Sequence, residues 1–225
     1  MHYLKYIEEA CAHLRSLGID PEVSEGFPVT EEILHEAELV MQMPLPHEIR
    51  SFLMEMGDGF QLSYSAEPIT GDEDNQFYWG INSLGGIVSA YSDLRDEMLK
   101  NASGSGEYCD TEECKEESRK RSKWVPFYGI GGGGYTLCID SGEGEGNGEI
   151  RYHDIRFGDG HFPSIHLASD FDALIRQWSR YCFSEPLWDG TDKHGDLVSY
   201  CWEKEGAFDW APNKFRQEFD RKSKR

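Results

Sequence analysis

Four groups of residues have types and spacings that chemistry can use. Gly129-Ile-Gly131-Gly-Gly-Gly134 satisfies the G-x-G-x-x-G of dinucleotide sites. That pattern receives a pyrophosphate when a strand precedes it and a helix N-terminus follows. Here the following segment is YTLCID, which is alternating, β-branched and aromatic, and no Gly-Lys-Ser/Thr occurs. The glycines are therefore expected to connect two strands, where they permit positive φ and close backbone approach. DSGEGEGNGEI gathers Asp140, Glu143, Glu145 and Glu149. A calcium loop of the EF-hand kind needs oxygen ligands at positions 1, 3 and 5 and glycine at 6. Counted from Asp140, positions 3 and 5 are Gly142 and Gly144 and position 6 is Glu145, so a solvated hairpin tip is expected. Cys109 and Cys114 lack the second Cys or His pair that tetrahedral zinc requires, and read as thiols on a flexible loop. His153-Asp154, with His161 and His166, is the cluster closest to general-base chemistry. No G-x-S-x-G or H-E-x-x-H accompanies it. No cofactor and no metal is expected.

The elements that must position these residues are legible as periodicities. Leu4, Ile7, Cys11, Leu14 and Leu17 form one helical stripe that Gly18 is placed to end. A connector to Pro28 follows. Thr30 is a natural N-cap for a second helix, with Glu31 and Glu32 where the dipole favours anions and Ile33, Leu34, Ala37, Val40 and Met41 on its buried side. After the rigid PLP at 44–46, HEIRSFLMEM makes a third helix closed by Gly57. Phe60 to Tyr64 alternates as a strand does, Phe77 to Ile81 is a short apolar run, and Ile87 to Leu99 has helical spacing. Residues 101–123 are almost without apolar side chains and read as a mobile loop insertion. Three strands follow (124–130, 135–140 and 149–153), then a short strand at 164–167 and a helix capped by Ser169. In the segment from 182, residues 197–205 fit either a helix or a strand. Trp188, Trp202, Phe208 and Trp210 point to packing on the body.

The formal charge of −20 is uneven: residues 211–225 carry +4 and the preceding body −24. An acidic body repels phosphate backbones and anionic lipid, which argues against nucleic acid and membrane surfaces. A basic protein partner suits it, because opposite charge speeds encounter. The N-terminal stretch is amphipathic and acidic rather than an apolar signal core, and no run nears the roughly 18 apolar residues of a membrane span. A cytoplasmic protein is expected, with most of its six cysteines reduced.

The order of motifs carries more than any one of them. A helix from Thr30 leads to PLPHEIRSFLMEMGDG at 44–59, then WGINSLGGI at 79–87. WVPFYGIGGGGYTLCID follows at 124–140, then the hairpin with GEIRYHD and ASDFDALIRQW at 168–178. This resembles the SUKH superfamily, which includes the fungal Smi/Knr-type cell-wall regulators and many bacterial toxin immunity proteins. The departures are Gly57-Asp58-Gly59 where the family has Asn-Gly, and Asp170-Phe171 where it has Ser-Phe. The resemblance implies an α+β fold: one SUKH-like domain with a central, mostly antiparallel sheet flanked by helices. It spans 28–181, preceded by a helix and connector over 1–27 and followed by an extension with a basic tail over 182–225. It implies no catalytic residues and a role in binding a cognate toxin, often a nuclease, or a regulatory scaffold role of the fungal type. A hydrolase using His153, Asp154 and His161 is the remaining alternative. Loop position and charge select Asp58, Asp72, Glu73, Asp74, Glu143 and Glu145 as contacts to a basic partner.

Overall fold

The computed structural model describes residues 2–65, 76–106, 111–130, 135–142, 147–154, 165–179 and 182–183. The expected features at 72–74, 131–134, 143–145, 161 and 184–225 lie outside these residues.

Helix α1 (Tyr3–Ser16) buries Tyr3, Ile7, Ala10, Cys11 and Leu14, the expected stripe. It ends as the sequence directs: Gly18 takes φ +83°, and Ile19 N–H reaches back to the Leu14 carbonyl at 3.1 Å. Its first turn has no side-chain cap of its own. Glu55, distant in sequence, supplies one, accepting the His2 and Leu4 N–H groups at 2.8 Å each. Helix α2 (Glu31–Met41) starts at Thr30, whose hydroxyl accepts the Ile33 N–H, and α3 (His47–Met56) buries Ile49, Phe52, Leu53 and Met56. The PLP turn between them is braced by Glu38, which accepts Leu45 N–H at 3.1 Å and the Arg50 guanidinium at 2.7 Å.

Strands β1 (Glu22–Ser24), β2 (Gln61–Ser65) and β3 (Gln76–Trp79) form one antiparallel sheet in that order. β1 falls where the sequence reads as a connector. Its pairing, Val23 opposite Leu62, is made across the fold and has no local signature in three residues. Strands β4 (Trp124–Ile130), β5 (Tyr135–Asp140), β6 (Ile150–Asp154) and β7 (Ile165–Ala168) form a second antiparallel sheet, β4-β5-β6-β7. Ile130 is paired with Tyr135, so the glycine run is flanked by two strands of one hairpin and no helix follows it.

The sheets adjoin at a bulge in β4. The register steps from Pro126 opposite Cys138 to Tyr128 opposite Leu137 and skips Phe127. Pro126 has no N–H to give, and a proline in a strand favours such a break. The Phe127 carbonyl instead accepts the Asn82 N–H, just after β3, at 2.7 Å.

Helix α4 (Leu84–Ser103) is capped by Ser83 and runs beyond both expected ends. Helix α5 (Glu112–Arg121) corrects the expectation of a loop over 101–123. It has no apolar stripe. The Thr111 hydroxyl accepts Cys114 N–H at 3.1 Å, glutamates occupy its first turn and Arg119, Lys120 and Arg121 its last. Glu112–Lys115, Glu116–Lys120 and Glu117–Arg121 pair along it, each glutamate N-terminal to its base, which is the favourable orientation. Arg121 is buried, with its guanidinium 5.1 Å from the Trp124 ring centre. Cys114 is disulfide-bonded, against the expectation of a thiol, and its partner lies outside the described residues; Cys11, Cys138 and Cys182 are buried free thiols. Helix α6 (Phe171–Ser179) is capped by Asp170, which accepts Ala173 N–H at 2.7 Å, rather than by Ser169.

The fold is α+β and a single domain. Phe52 sits at the centre of an aromatic core, within 5.3–6.2 Å of Tyr3, Phe60, Trp79 and Phe171. Phe183, just past α6, packs tilted on Trp79 with ring centres 4.0 Å apart, and the Cys182 carbonyl accepts the Tyr64 hydroxyl at 2.9 Å. The other face of the second sheet is covered by α4 and α5, where Leu94, Met98, Trp124 and Cys138 form a smaller core.

Candidate functional site

Asp58 is the candidate contact that falls among the described residues. It sits where two chain segments cross. A Cβ on Gly26 would lie 2.4 Å from the Gly57 carbonyl carbon, and one on Gly57 2.6 Å from that of Gly26. Only a glycine pair permits this approach, and Gly57 also holds φ +84°. The crossing is fixed by reciprocal bonds between Phe27 and Asp58, at 2.7 and 2.8 Å. The half-buried Asp58 carboxylate then accepts Leu84 N–H at 2.8 Å, at the positive end of α4. Asp58 thus has a structural task as well as its charge. Asp72, Glu73, Asp74, Glu143 and Glu145 lie outside the described residues.

The crossing leaves Phe27 82% exposed. Four residues on, α2 begins, and its outward side presents Glu32, Glu36, Leu39 and Val40, at i, i+4, i+7 and i+8; the two apolar side chains are 64% and 65% exposed. Ile33 adds a third exposed aliphatic on this helix. Scattered exposed apolar residues are ordinary. Phe27, Ile33, Leu39 and Val40 fall within fourteen consecutive residues and are interspersed with glutamates. The sequence assigned Ile33 and Val40 to the buried side of α2. The structure buries the other three expected residues, Leu34, Ala37 and Met41, a narrower stripe that leaves Ile33 and Val40 outside. Nothing local distinguishes the two sets, because an aliphatic pattern on 11 residues fits either rotation. Phe27 read as connector for the same reason.

The histidine cluster has a different character. His153 on β6 is 1% exposed and meets the Trp124 ring edge-on at 6.3 Å. Burial first, and then the Arg121 guanidinium, push its pKa down to about 4, so at neutral pH it is an uncharged ring away from solvent. His166 on β7 stands 3.8 Å from a Glu149 oxygen, and Glu149 also pairs with Arg151. Burial drives the Cys138 thiol far up, so it is no thiolate nucleophile. His161 and the Asp154 side chain lie outside the described residues. Among the described residues, no group of three His, Cys, Asp or Glu side chains is arranged to hold a metal ion. No described helix is long and apolar enough to cross a membrane.

A family model, that of the SMI1/KNR4 family (SUKH-1), matches residues 28–177. The chain belongs to this family. Its members are commonly immunity proteins. No curated protein matches the chain. The SUKH-1 match starts just past Gly26 and Phe27 of the crossing and ends in α6, so it takes in both sheets apart from β1. It excludes α1 and Phe183, although Tyr3, Ile7 and Phe183 belong to the same core as the matched residues. The SUKH-1 domain of this protein is therefore completed by segments on either side of the family match.

Proposed function

We propose that this SUKH-1 chain is a non-enzymatic protein-binding module that acts in the cytoplasm as an immunity protein. It neutralises a toxin domain, of the nuclease kind, by covering that domain's basic surface. The observation that carries this reading is the outward face of α2, with Leu39 and Val40 exposed beside Glu32 and Glu36 and with Phe27 nearby in sequence. Apolar anchors among carboxylates suit an interface that buries a few aliphatic and aromatic side chains and is steered by charge. The overall charge of −20 supports the same partner chemistry. Asp58, Asp72, Glu73, Asp74, Glu143 and Glu145 are proposed as further contacts around it.

The test is co-expression with the product of the adjacent gene, scored for growth rescue and co-purification. The native chain is expected to rescue and to co-purify. Leu39→Ser with Val40→Ser is expected to weaken the complex at least about tenfold, as hot-spot truncations do. Association should also slow as salt rises. Co-purification without rescue would turn the reading toward a regulatory scaffold. A salt-insensitive association rate would remove its electrostatic part.

A further inference from the structure

A cavity of about 830 Å³ opens between the PLP turn, α4 and the end of β5. Its apolar wall is formed by Leu45, Tyr91, Leu99 and Ile139, and its cations are Arg95 and Lys123. His47 adds an imidazole, and Glu48 is the one carboxylate among the described lining residues. The composition stands out against the rest of the molecule. Acidic residues outnumber basic ones 42 to 22 over the chain, yet this groove gathers two cations. Seven of the twelve described arginines and lysines pair with a glutamate or aspartate: Lys5, Arg15, Arg50, Lys115, Lys120, Arg121 and Arg151. Arg95 and Lys123, like Lys100, Arg119 and Arg176, have no carboxylate within ion-pair distance among the described residues, and of these five Arg95 and Lys123 are the two that line the groove. Arg95 donates instead to the neutral Gln42 side chain at 3.3 Å. Leu99 is 44% exposed at the same opening. The walls are fixed: Glu38 and Arg50 brace the turn, and α4 and β5 are regular elements.

We infer that this groove is a second binding site, for an extended peptide segment carrying carboxylates between aliphatic side chains. Arg95 and Lys123 pair with the carboxylates, and the wall of Tyr91, Leu99 and Ile139 takes an aliphatic side chain. Such a segment satisfies both halves of the lining at once; a bare anion leaves the apolar wall unused, and a basic peptide meets like charge. The site is opposite in charge to the α2 face, so this inference does not rest on the toxin reading, although Glu143 and Glu145 fall in sequence between its lining residues Ser141 and Asn147.

The probe is the blocked pentapeptide Leu-Asp-Leu-Asp-Leu, titrated into the full chain at physiological salt and followed by amide NMR shifts, with Leu-Asn-Leu-Asn-Leu as its neutral twin. Saturable shifts at Leu45, Arg95, Lys123 and Ser141 are expected, with affinity at least tenfold above that of the twin. Arg95→Ser with Lys123→Ser changes two side chains at the opening, and should lose that tenfold preference while the remaining spectrum is unchanged. Equal affinity for the two peptides, absence of shifts around the groove, or a double variant that binds as well as the native chain would each overturn the site. Inorganic phosphate reproducing the same shifts at the same concentration would overturn the peptide class in favour of a small anion.

Discussion

Asn82 donates its backbone N–H to the carbonyl of Phe127 at 2.7 Å, and through this bond the three-stranded and four-stranded sheets meet. The bond exists because the register of β4 against β5 skips Phe127, next to a proline that cannot join the ladder. The same step sends the Phe127 side chain into the core, 5.2 Å from Phe171, while Tyr128 packs at 4.9 Å on Trp178. One irregular residue thus joins two sheets and anchors the last helix.

Phe127→Ala should therefore be among the costlier substitutions. Emptying a fully buried phenylalanine site costs about 3–5 kcal/mol, as lost burial plus cavity. Urea unfolding followed by tryptophan fluorescence should show the midpoint fall with the slope unchanged. A loss below about 1 kcal/mol would mean that the site collapses around the gap.

Gly57→Ala tests the crossing of residues 26 and 57. A side chain at φ +84° costs about 1–3 kcal/mol by backbone strain alone, before its overlap with Gly26. Gly26→Ala, which lacks the positive φ, isolates the overlap. Both should unfold at lower urea. Asp58→Asn keeps an acceptor for Leu84 N–H and should be milder than either.

His153 gives the stability a pH dependence with a definite sign. In the unfolded chain the ring takes a proton near pH 6.5; in the folded chain it does so only near 4, because burial and Arg121 oppose the charge. Its contribution is whole above about pH 6.5 and is lost as pH falls through about 4. The loss amounts to about 3 kcal/mol, from the separation of the two values. Urea midpoints at pH 7 and pH 4.5 should converge in His153→Gln relative to the native chain. An unchanged difference would place the acid sensitivity on other groups.

Glu55 accepts the backbone N–H groups of His2 and Leu4 at the start of α1, so Glu55→Ala should loosen α1 before the rest. The cost is about 1 kcal/mol, as for loss of a helix cap. Hydrogen exchange should quicken at the amides of α1 and leave β5 unaffected. Uniform quickening would show that α1 opens only with the whole domain.

Much of the fold was legible in the sequence, and the reasons are local. α1, α2 and α3 followed from apolar spacing bounded by Gly18, Thr30 and Gly57, each a residue whose backbone preference marks an end. β4, β5, β6 and β7 followed from short apolar or alternating runs between glycine-rich turns. α5 carries no apolar periodicity to mark it, because this helix is held by charge pairs, a threonine cap and a few buried contacts at Ser118 and Arg121. The glutamate-to-base spacing from 112 to 121 was the signal available for it.

By itself the sequence determined most of the helices and strands, though not α5 or β1, that the glycine run joins strands, and that the body is acidic. These rest on backbone preference and composition, which act within a few residues. The tertiary structure decided what distance along the chain hides. It set β1 against β2, placed Cys182 and Phe183 in the cores, and turned His153 inward to become a neutral buried ring. It also decided which aliphatic residues of α2 face water and which cations meet in the groove. Exposure and ion pairing are properties of neighbours, and neighbours are fixed only when the chain packs.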